Sequence, residues 1–367
     1  RTIYNVAVMT DLHKQLHQAV ESQKDTLAKE IVKRQYAHSG KCWEPDCKEG
    51  HQKSIRDIKY HLDYLSQAVA AHSPTLFKDY TAWVRVLFAR LNFSAEVLPT
   101  TLEITREVLE EYLSPELFDL VRQYLDAAEV ELMGSSEGPG SFLTPEVPLA
   151  DLAREYLDLL LAGERAQASR LIQQAVDEGV AVKDIYLHVF QRTQHEVGRL
   201  WQINQISVAH EHYCTAATQL IMSQLYPKIM SGEKTGRRLV MTCVNDELHE
   251  LGARMVADFF EMEGWDTYYL GANTPTPDIL STLDEKQPDL LGISTTITYN
   301  LDQMSKLIED VKASPLGEKI PVLVGGRPFN IDPKLYESIG ADGQAPDAGT
   351  ALRTADQMIQ EIGKKDR

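Results

Sequence analysis

The stretch LVMTCVNDELHELG, residues 239–252, decides the fold of the carboxyl-terminal part of the chain. Its first six residues are apolar or β-branched, which is typical of a buried strand, and a polar loop follows at once. Similar runs recur downstream, with helical segments of ten to fifteen residues between them: TYYL (267–270), DLLGIS (289–294) and PVLVGG (321–326). This alternation predicts a doubly wound parallel sheet over residues 237–366, with ligands at the carboxyl ends of its strands.

The sequence before this sheet predicts helices. Residues 149–230 carry apolar residues at i, i+3 and i+4 spacing in about four helices, which favours a four-helix bundle. Residues 1–133 show the same period and are predicted to form an all-α domain. Between them, residues 134–148 contain three glycines and three prolines and are predicted to form a linker. The expected fold class is therefore α plus α/β, in several domains.

The composition excludes several classes of protein. The chain has 367 residues, of which 43% are hydrophobic and 25% charged, as in ordinary globular proteins. A net charge of −17 lacks the basic surface of a nucleic-acid reader, so direct nucleic-acid binding is not expected. The absence of a long apolar run argues against membrane insertion. Four cysteines are too few for a disulfide framework, and a cytoplasmic location is expected.

The loop after the first predicted strand carries the residues with the clearest chemistry. Glu247, His249 and Gly252 form the pattern E-x-H-x-x-G. A histidine on this loop points toward the ligand edge of the sheet, and a carboxylate two residues earlier can hold its second ring nitrogen. A solvated loop histidine is the alternative interpretation. No GxGxxG follows the strand, so a dinucleotide cofactor is not predicted.

This pattern resembles the cobalamin-binding motif of the B12 module of methionine synthase, which has a flavodoxin-like sheet. The resemblance implies that His249 is the lower ligand of the cobalt, replacing dimethylbenzimidazole. It further implies that the nucleotide tail of cobalamin threads into the sheet past a set of residues at the strand ends and in the closing loop. These residues are Ser294, Thr298, Gly325, Gly326 and Asp347.

The helical segment before the sheet carries a second motif. Trp201 is predicted to close one helix, and Ser207 to cap the next, whose first turn holds Glu211 and His212. This W-x9-E-H arrangement resembles the cap of adenosylcobalamin-dependent photoreceptors. The resemblance implies that these residues cover an adenosyl group above the corrin. The chain departs from that family at Gln202, where those photoreceptors have a histidine that captures the cobalt after illumination.

The amino-terminal region, from residue 52 to residue 133, resembles the helical domain of photocobilins, a sub-family of these photoreceptors that also carries biliverdin. The resemblance implies a bilin site built from aromatic, acidic and basic side chains, and a satisfied helical core is the alternative. The candidate residues are Asp57, His61, Tyr64, Tyr80, Trp83 and Arg85. Cys42, Cys47 and His51 are metal-ligand types but lack paired C-x-x-C spacing, so a metal site is not predicted there.

Three functions are compatible with these motifs. The leading hypothesis is a light-sensing regulator without catalytic turnover. Photolysis of its cobalt–carbon bond would alter the domain arrangement and a dimeric or tetrameric homo-oligomer, and so signal to an unidentified downstream partner. The alternative is a corrinoid methyl carrier for a methyltransferase system. A radical mutase is the third, and the lack of a catalytic barrel in this chain argues against it.

Overall fold

The computed structural model of the protein describes residues 2–39, 48–134, 137–230, 233–317 and 319–365. The chain forms two compact units. The first unit consists of residues 1–138 together with two short segments from later in the chain, 297–302 and 331–338. The second consists of residues 139–296, 303–330 and 339–367.

The first unit is built mainly from five helices. They are α1 (Thr2–Ser39), α2 (Lys48–Ala70), α3 (Pro74–Arg90), α4 (Val97–Tyr112) and α5 (Pro115–Leu132). Proline at the first position of α3 and α5 suits a helix start, because the missing N–H would have no partner there. The buried side chains lie at helical spacing, as at Ile58, Leu62 and Leu65, so the predicted helical amino-terminal region is confirmed. Cys42 and Cys47 lie outside the described residues.

The second unit begins with a non-helical segment and a group of helices. Residues 139–149 form neither helix nor strand, yet they are held to the unit, since the Phe142 N–H donates to the buried Glu196 carboxylate at 2.8 Å. The helices are α6 (Ala150–Leu161), α7 (Arg165–Asp177), α8 (Val182–Asp184), a π-helix (Ile185–Phe190), α9 (Gln191–Gln202) and α10 (Val208–Ile229).

The rest of the second unit surrounds a parallel sheet. Its strands are β1 (Arg238–Cys243), β2 (Asp266–Gly271), β3 (Leu290–Ser294), β4 (Val322–Gly325) and β5 (Gly343–Ala345), in the order β2-β1-β3-β4-β5. The helices that follow β1 to β5 along the chain are α11 (Leu251–Met262), α12 (Thr276–Lys286), α13 (Leu301–Ala313), α14 (Arg327–Ile331), α15 (Leu335–Ser338) and α16 (Ala348–Lys365). Of these, α15, the first two residues of α13 and the last residue of α14 belong to the first unit. Four of the strands were predicted, whereas β5 lies where the sequence indicated only a closing loop.

The helical region followed by a doubly wound parallel sheet confirms the expected fold class at this level. Every neighbouring pair of strands is parallel, so all the carboxyl ends meet at one edge. Among the described residues, no helix combines the length and the apolar character needed to cross a membrane.

Candidate functional site

The carboxyl ends of three adjacent strands lie in one row. Cys243 at the end of β1 pairs with Ser294 at the end of β3, which in turn pairs with Gly325 at the end of β4. The loops that follow these residues therefore leave the sheet side by side. The row brings the E-x-H-x-x-G loop next to Ser294 and Gly325, as expected for one ligand edge.

Glu247 and His249 form a hydrogen-bonded pair on the loop after β1. The His249 Nδ1–H donates to Glu247 Oε1 at 2.6 Å, and the backbone N–H of His249 donates to the same oxygen at 2.9 Å. Glu247 is fully buried, whereas 54% of the His249 side chain is exposed. The hydrogen bond that His249 donates to the Glu247 carboxylate raises the pKa of His249 above its usual value. The pair therefore fixes the ring by Nδ1 and leaves Nε2 as the nitrogen for a ligand.

The loop after β3 holds the other oxygen of Glu247. The Thr295 hydroxyl donates to Glu247 Oε2 at 2.9 Å, and the Thr296 N–H donates to it at 2.7 Å. Gly326 packs against this loop with a positive φ of 109°, and a Cβ there would lie 1.9 Å from the Thr295 carbonyl oxygen. Glycine is therefore required by close packing on Thr295. Thr295 was not predicted from the sequence, although its place directly after Ser294 was the available signal.

The turn between α9 and α10 places the second motif as the spacing predicted. Trp201 lies at the end of α9, and Ser207 caps α10 by accepting from the His210 N–H. Glu211 lies in the first turn of α10, where it accepts from the Thr215 hydroxyl at 3.1 Å. His212 is exposed, and its Nδ1–H donates to Glu211 Oε2 at 2.6 Å.

Helix α10 is tied to the loop that carries His249. The Gln219 amide on α10 donates to Glu250 Oε1 at 2.9 Å, and Arg254 donates to the Ser223 hydroxyl at 2.7 Å. Glu211 is close enough for its charge to raise the pKa of His249. The helical segment and the sheet edge therefore form one site within the second unit. Gln219 and Glu250 were not predicted from the sequence, because their role depends on a contact between residues 31 positions apart.

The remaining predicted cobalamin residues have different surroundings. Ser294 is buried at the end of β3, and Gly252 lies in the first turn of α11 with open space where a Cβ would stand. Thr298 is buried within the first unit. Asp347 caps α16, because its two side-chain oxygens accept from the N–H and hydroxyl of Thr350 at 2.8 and 3.1 Å.

The structure brings together part of the predicted bilin set. His61 Nδ1 lies 2.7 Å from the Tyr80 hydroxyl, and the rings of Tyr64 and Tyr80 stack with centroids 3.7 Å apart. Burial lowers the pKa of His61 to about 4. Asp57 lies on the same face of α2, one turn before His61, and burial raises the pKa of its carboxyl. These four residues form one cluster.

Trp83 and Arg85 complete the bilin set on α3. Trp83 is half-buried, three residues after Tyr80 and so near it on the helix. Arg85 lies on another face, with its guanidinium 3.8 Å from the Glu131 carboxylate of α5. The structure therefore gives Arg85 a partner outside the cluster around Tyr80.

Comparison with known proteins identifies the second unit. Two models, each described as a B12 binding domain, match residues 237–353 and 152–226. A corrinoid protein of Desulfitobacterium hafniense is 24% identical over 215 residues, which are 58% of this chain and 99% of that protein. The dimethylamine corrinoid protein of Methanosarcina barkeri is 24% identical over 57% of this chain and 98% of its own length.

A solved structure supports the same fold. The monomethylamine corrinoid protein of Methanosarcina barkeri superposes with a TM-score of 0.51 at 20% identity, covering 57% of this chain and 98% of that one. The two B12 binding domain models show that the chain contains a cobalamin-binding module. The leading functional hypothesis, a light-sensing regulator, was wrong, because the matched relatives are corrinoid proteins, which favours the alternative hypothesis. In the W-x9-E-H motif, the Glu211 carboxylate accepts hydrogen bonds from His212 and Thr215, and the adenosyl group stays a prediction.

The residues at the site fit cobalamin. The imidazole of His249 is a suitable cobalt ligand, already oriented by a buried carboxylate. Trp201, Val208 and Leu248 expose large apolar surfaces around the same loops of the second unit. Such exposed apolar groups are expected where a flat, largely apolar ring binds. Val208 and Leu248 were not identified from the sequence.

Proposed function

We propose that this chain is a corrinoid carrier protein, which holds a methyl group on cobalamin and passes it between methyltransferase partners. The observation that supports it best is the buried Glu247 carboxylate, which fixes the half-exposed ring of His249 at the ligand edge of the sheet. The corrinoid relatives are matched over nearly their whole length, so the shared region corresponds to a complete carrier in those proteins.

His249 and Glu247 would supply an oriented, basic ring nitrogen as the lower ligand of a carrier. Bound cobalamin would supply a cobalt centre that accepts and gives up a methyl group. When the Nε2 lone pair of His249 binds a metal, its Nδ1–H donates to Glu247 and raises the basicity of the ring. When Nε2 is released it can take up a proton, which the adjacent Glu247 stabilises. Glu247 would thus hold the His249 ring for a metal at Nε2, and would stabilise a proton there when no metal is bound.

The upper side of the site is the proposed place of exchange. Trp201 and Val208 flank the turn between α9 and α10 and would cover the ring, while Glu211 offers a carboxylate. A carrier needs a methyl group there, whereas the W-x9-E-H spacing predicted an adenosyl group. The adenosyl form stays a prediction that analysis of the extracted cofactor tests directly.

The other sequence predictions concern biliverdin, oligomer formation and turnover. Biliverdin stays a prediction for the first unit, where the cavity beside His61 and Tyr80 measures about 10 Å³. This volume suits about one water, so a bilin would require the surrounding helices to move apart. Homo-oligomer formation and the lack of independent turnover are also predictions. Under this proposal the partners are methyltransferases, which would act as the catalysts.

Labelled methyl transfer tests the proposal. The full chain is loaded with methyl-labelled methylcobalamin in the dark and incubated with an extract of its source cells and a thiol acceptor. We expect the label to move to the acceptor with the wild-type chain and to move much more slowly with His249→Ala. In parallel, the corrinoid extracted in the dark from native protein should carry a methyl group. Label that stays on the chain, together with an adenosyl group on the native corrinoid, would overturn the proposal.

A further inference from the structure

The connection between α2 and α3 contacts both late segments of the first unit. We call residues 67–73 the α2–α3 corner. The segments are residues 297–302, after β3, and residues 331–338, after α14. Each segment makes hydrogen bonds to the corner, and the ring of Tyr299 meets that of Tyr64 on α2 edge-on at 5.9 Å between centroids.

Gln67 completes the start of α13. The first N–H groups of a helix have no partner inside the helix. The N–H of Asp302, in the first turn of α13, donates to Gln67 Oε1 at 3.0 Å. Gln67 is only 7% exposed, so without this bond a buried amide oxygen would lose a partner. A side chain from the amino-terminal domain thus caps a helix of the carboxyl-terminal sequence.

The Ser73 side chain makes its hydrogen bond to the second segment and not to its own helix. It stands at the N-cap of α3, but its side chain makes no capping hydrogen bond there. Its hydroxyl donates instead to Asp332 Oδ2 at 2.6 Å, and Ser73 is only 2% exposed. The Ser338 hydroxyl lies 3.3 Å from the carbonyl oxygen of Ala71. His72, between these residues, has a positive φ of 56°.

The first of these segments continues directly from the loop that anchors the His249 pair. Thr295 and Thr296 donate to Glu247, and the segment begins at the next residue, Ile297. It includes Thr298, which the resemblance assigns to the pocket of the cobalamin tail. A short stretch of backbone is therefore fixed at one end by Glu247 and at the other by Gln67.

We propose that the α2–α3 corner positions the loop after β3 for the nucleotide tail of cobalamin, so that Gln67 and Ser73 slow release of the cofactor. Gln67 and Ser73 are buried and hydrogen-bonded to these two segments. Movement of the segments away from the corner would leave these polar groups unpaired, which carries a free-energy cost. The corner would act through residues 297–302, which belong to its own unit and continue directly from the loop after β3. This inference rests on the cobalamin module and is independent of which group the cobalt carries.

Release of hydroxocobalamin from the full chain tests the inference. Gln67→Leu removes the acceptor at nearly constant volume, Gln67→Glu restores an acceptor, and Ser73→Ala removes the hydroxyl. Thr105→Val is the matched control, because the buried Thr105 hydroxyl donates only to the Thr101 carbonyl of its own helix. Loaded protein is diluted into excess competing cobalamin binder, and the spectrum of the retained cofactor is followed.

We expect release about tenfold faster for Gln67→Leu and Ser73→Ala, in line with the loss of one buried hydrogen bond. Gln67→Glu and Thr105→Val should release the cofactor at close to the wild-type rate. Unchanged release in Gln67→Leu and Ser73→Ala would overturn the inference. Equal acceleration in Thr105→Val would also overturn it, because general loosening of the helical domain would then be the cause. Since no methyl transfer is measured, failure of the carrier proposal gives a different result from failure here.

Discussion

Glu247→Gln removes the feature that orients His249. The carboxylate of Glu247 accepts four hydrogen bonds, two at each oxygen. Glutamine keeps one oxygen and replaces the other with an NH₂ group, which donates and cannot accept. In either orientation, two of the four donors lose their acceptor. We expect the remaining oxygen to stay with Thr295 and Thr296, because the half-exposed ring of His249 can turn to water instead.

The cost follows from the kind of bond that is lost. A hydrogen bond to a charged group contributes about 1.5–3 kcal/mol, and removal of a buried charge offsets part of the loss of two. We therefore expect the free energy of unfolding of the cofactor-free chain to fall by about 2–4 kcal/mol. The His249 ring should also lose its fixed orientation, because its Nδ1–H no longer has an acceptor. The loaded variant should then show the spectrum of cobalamin without a histidine ligand.

Urea unfolding and the spectrum of the hydroxocobalamin-loaded chain measure the two effects separately. Glu250→Gln is the control, because Glu250 accepts from Gln219, Tyr269 and the Ala272 N–H but from neither nitrogen of His249. This control should lose stability and keep the histidine ligand. A Glu247→Gln chain that unfolds at the wild-type urea concentration and keeps a histidine-ligated spectrum would refute the reasoning.

Three further predictions concern the surroundings of the site. Gly326→Ala should lower the unfolding free energy by about 3 kcal/mol, because residue 326 has a positive φ and the added Cβ would collide with the Thr295 carbonyl oxygen. A wild-type melting temperature for this variant would contradict the prediction. Burial raises the pKa of Asp258 to about 6, so the folded chain holds this proton more tightly than the unfolded one. Wild-type stability should therefore fall relative to Asp258→Asn as the pH rises from about 4 to about 6, and parallel pH profiles would exclude it. Ser207→Ala should cost about 1 kcal/mol in urea unfolding through loss of the cap to His210, whereas Ser207→Asp should cost little.

The sequence was most informative where a motif is local and its residues lie on one loop. The apolar runs predicted β1 to β4 closely, and Ser207 correctly marked the start of α10. Strand β5 was missed because it has only three residues, Gly343–Ala345, too few for a period to show. The π-helical turn at Ile185–Phe190 was missed because its side-chain pattern differs little from that of an α-helix.

Long-range partners were beyond the sequence. Thr295 supports Glu247 from 48 positions away, and no local pattern marks such a contact. Gln67 and Asp302 are 235 positions apart, so the amino-terminal region was read as separate from the later segments that it holds. The light-sensing hypothesis was a different kind of error, since a resemblance in spacing at Trp201 and Glu211 was taken to specify a function, whereas the corrinoid relatives favour the alternative.

Electron paramagnetic resonance of the chain loaded with cob(II)alamin tests most directly that His249 is the cobalt ligand on which the carrier function depends. A ¹⁴N ligand splits each cobalt line into three, and a ¹⁵N ligand splits it into two. We therefore predict three lines from unlabelled protein and two from protein made with ¹⁵N-histidine, with this splitting lost in His249→Ala. Three lines that persist after histidine labelling would show that the cofactor keeps its own dimethylbenzimidazole on the cobalt, and would contradict the account.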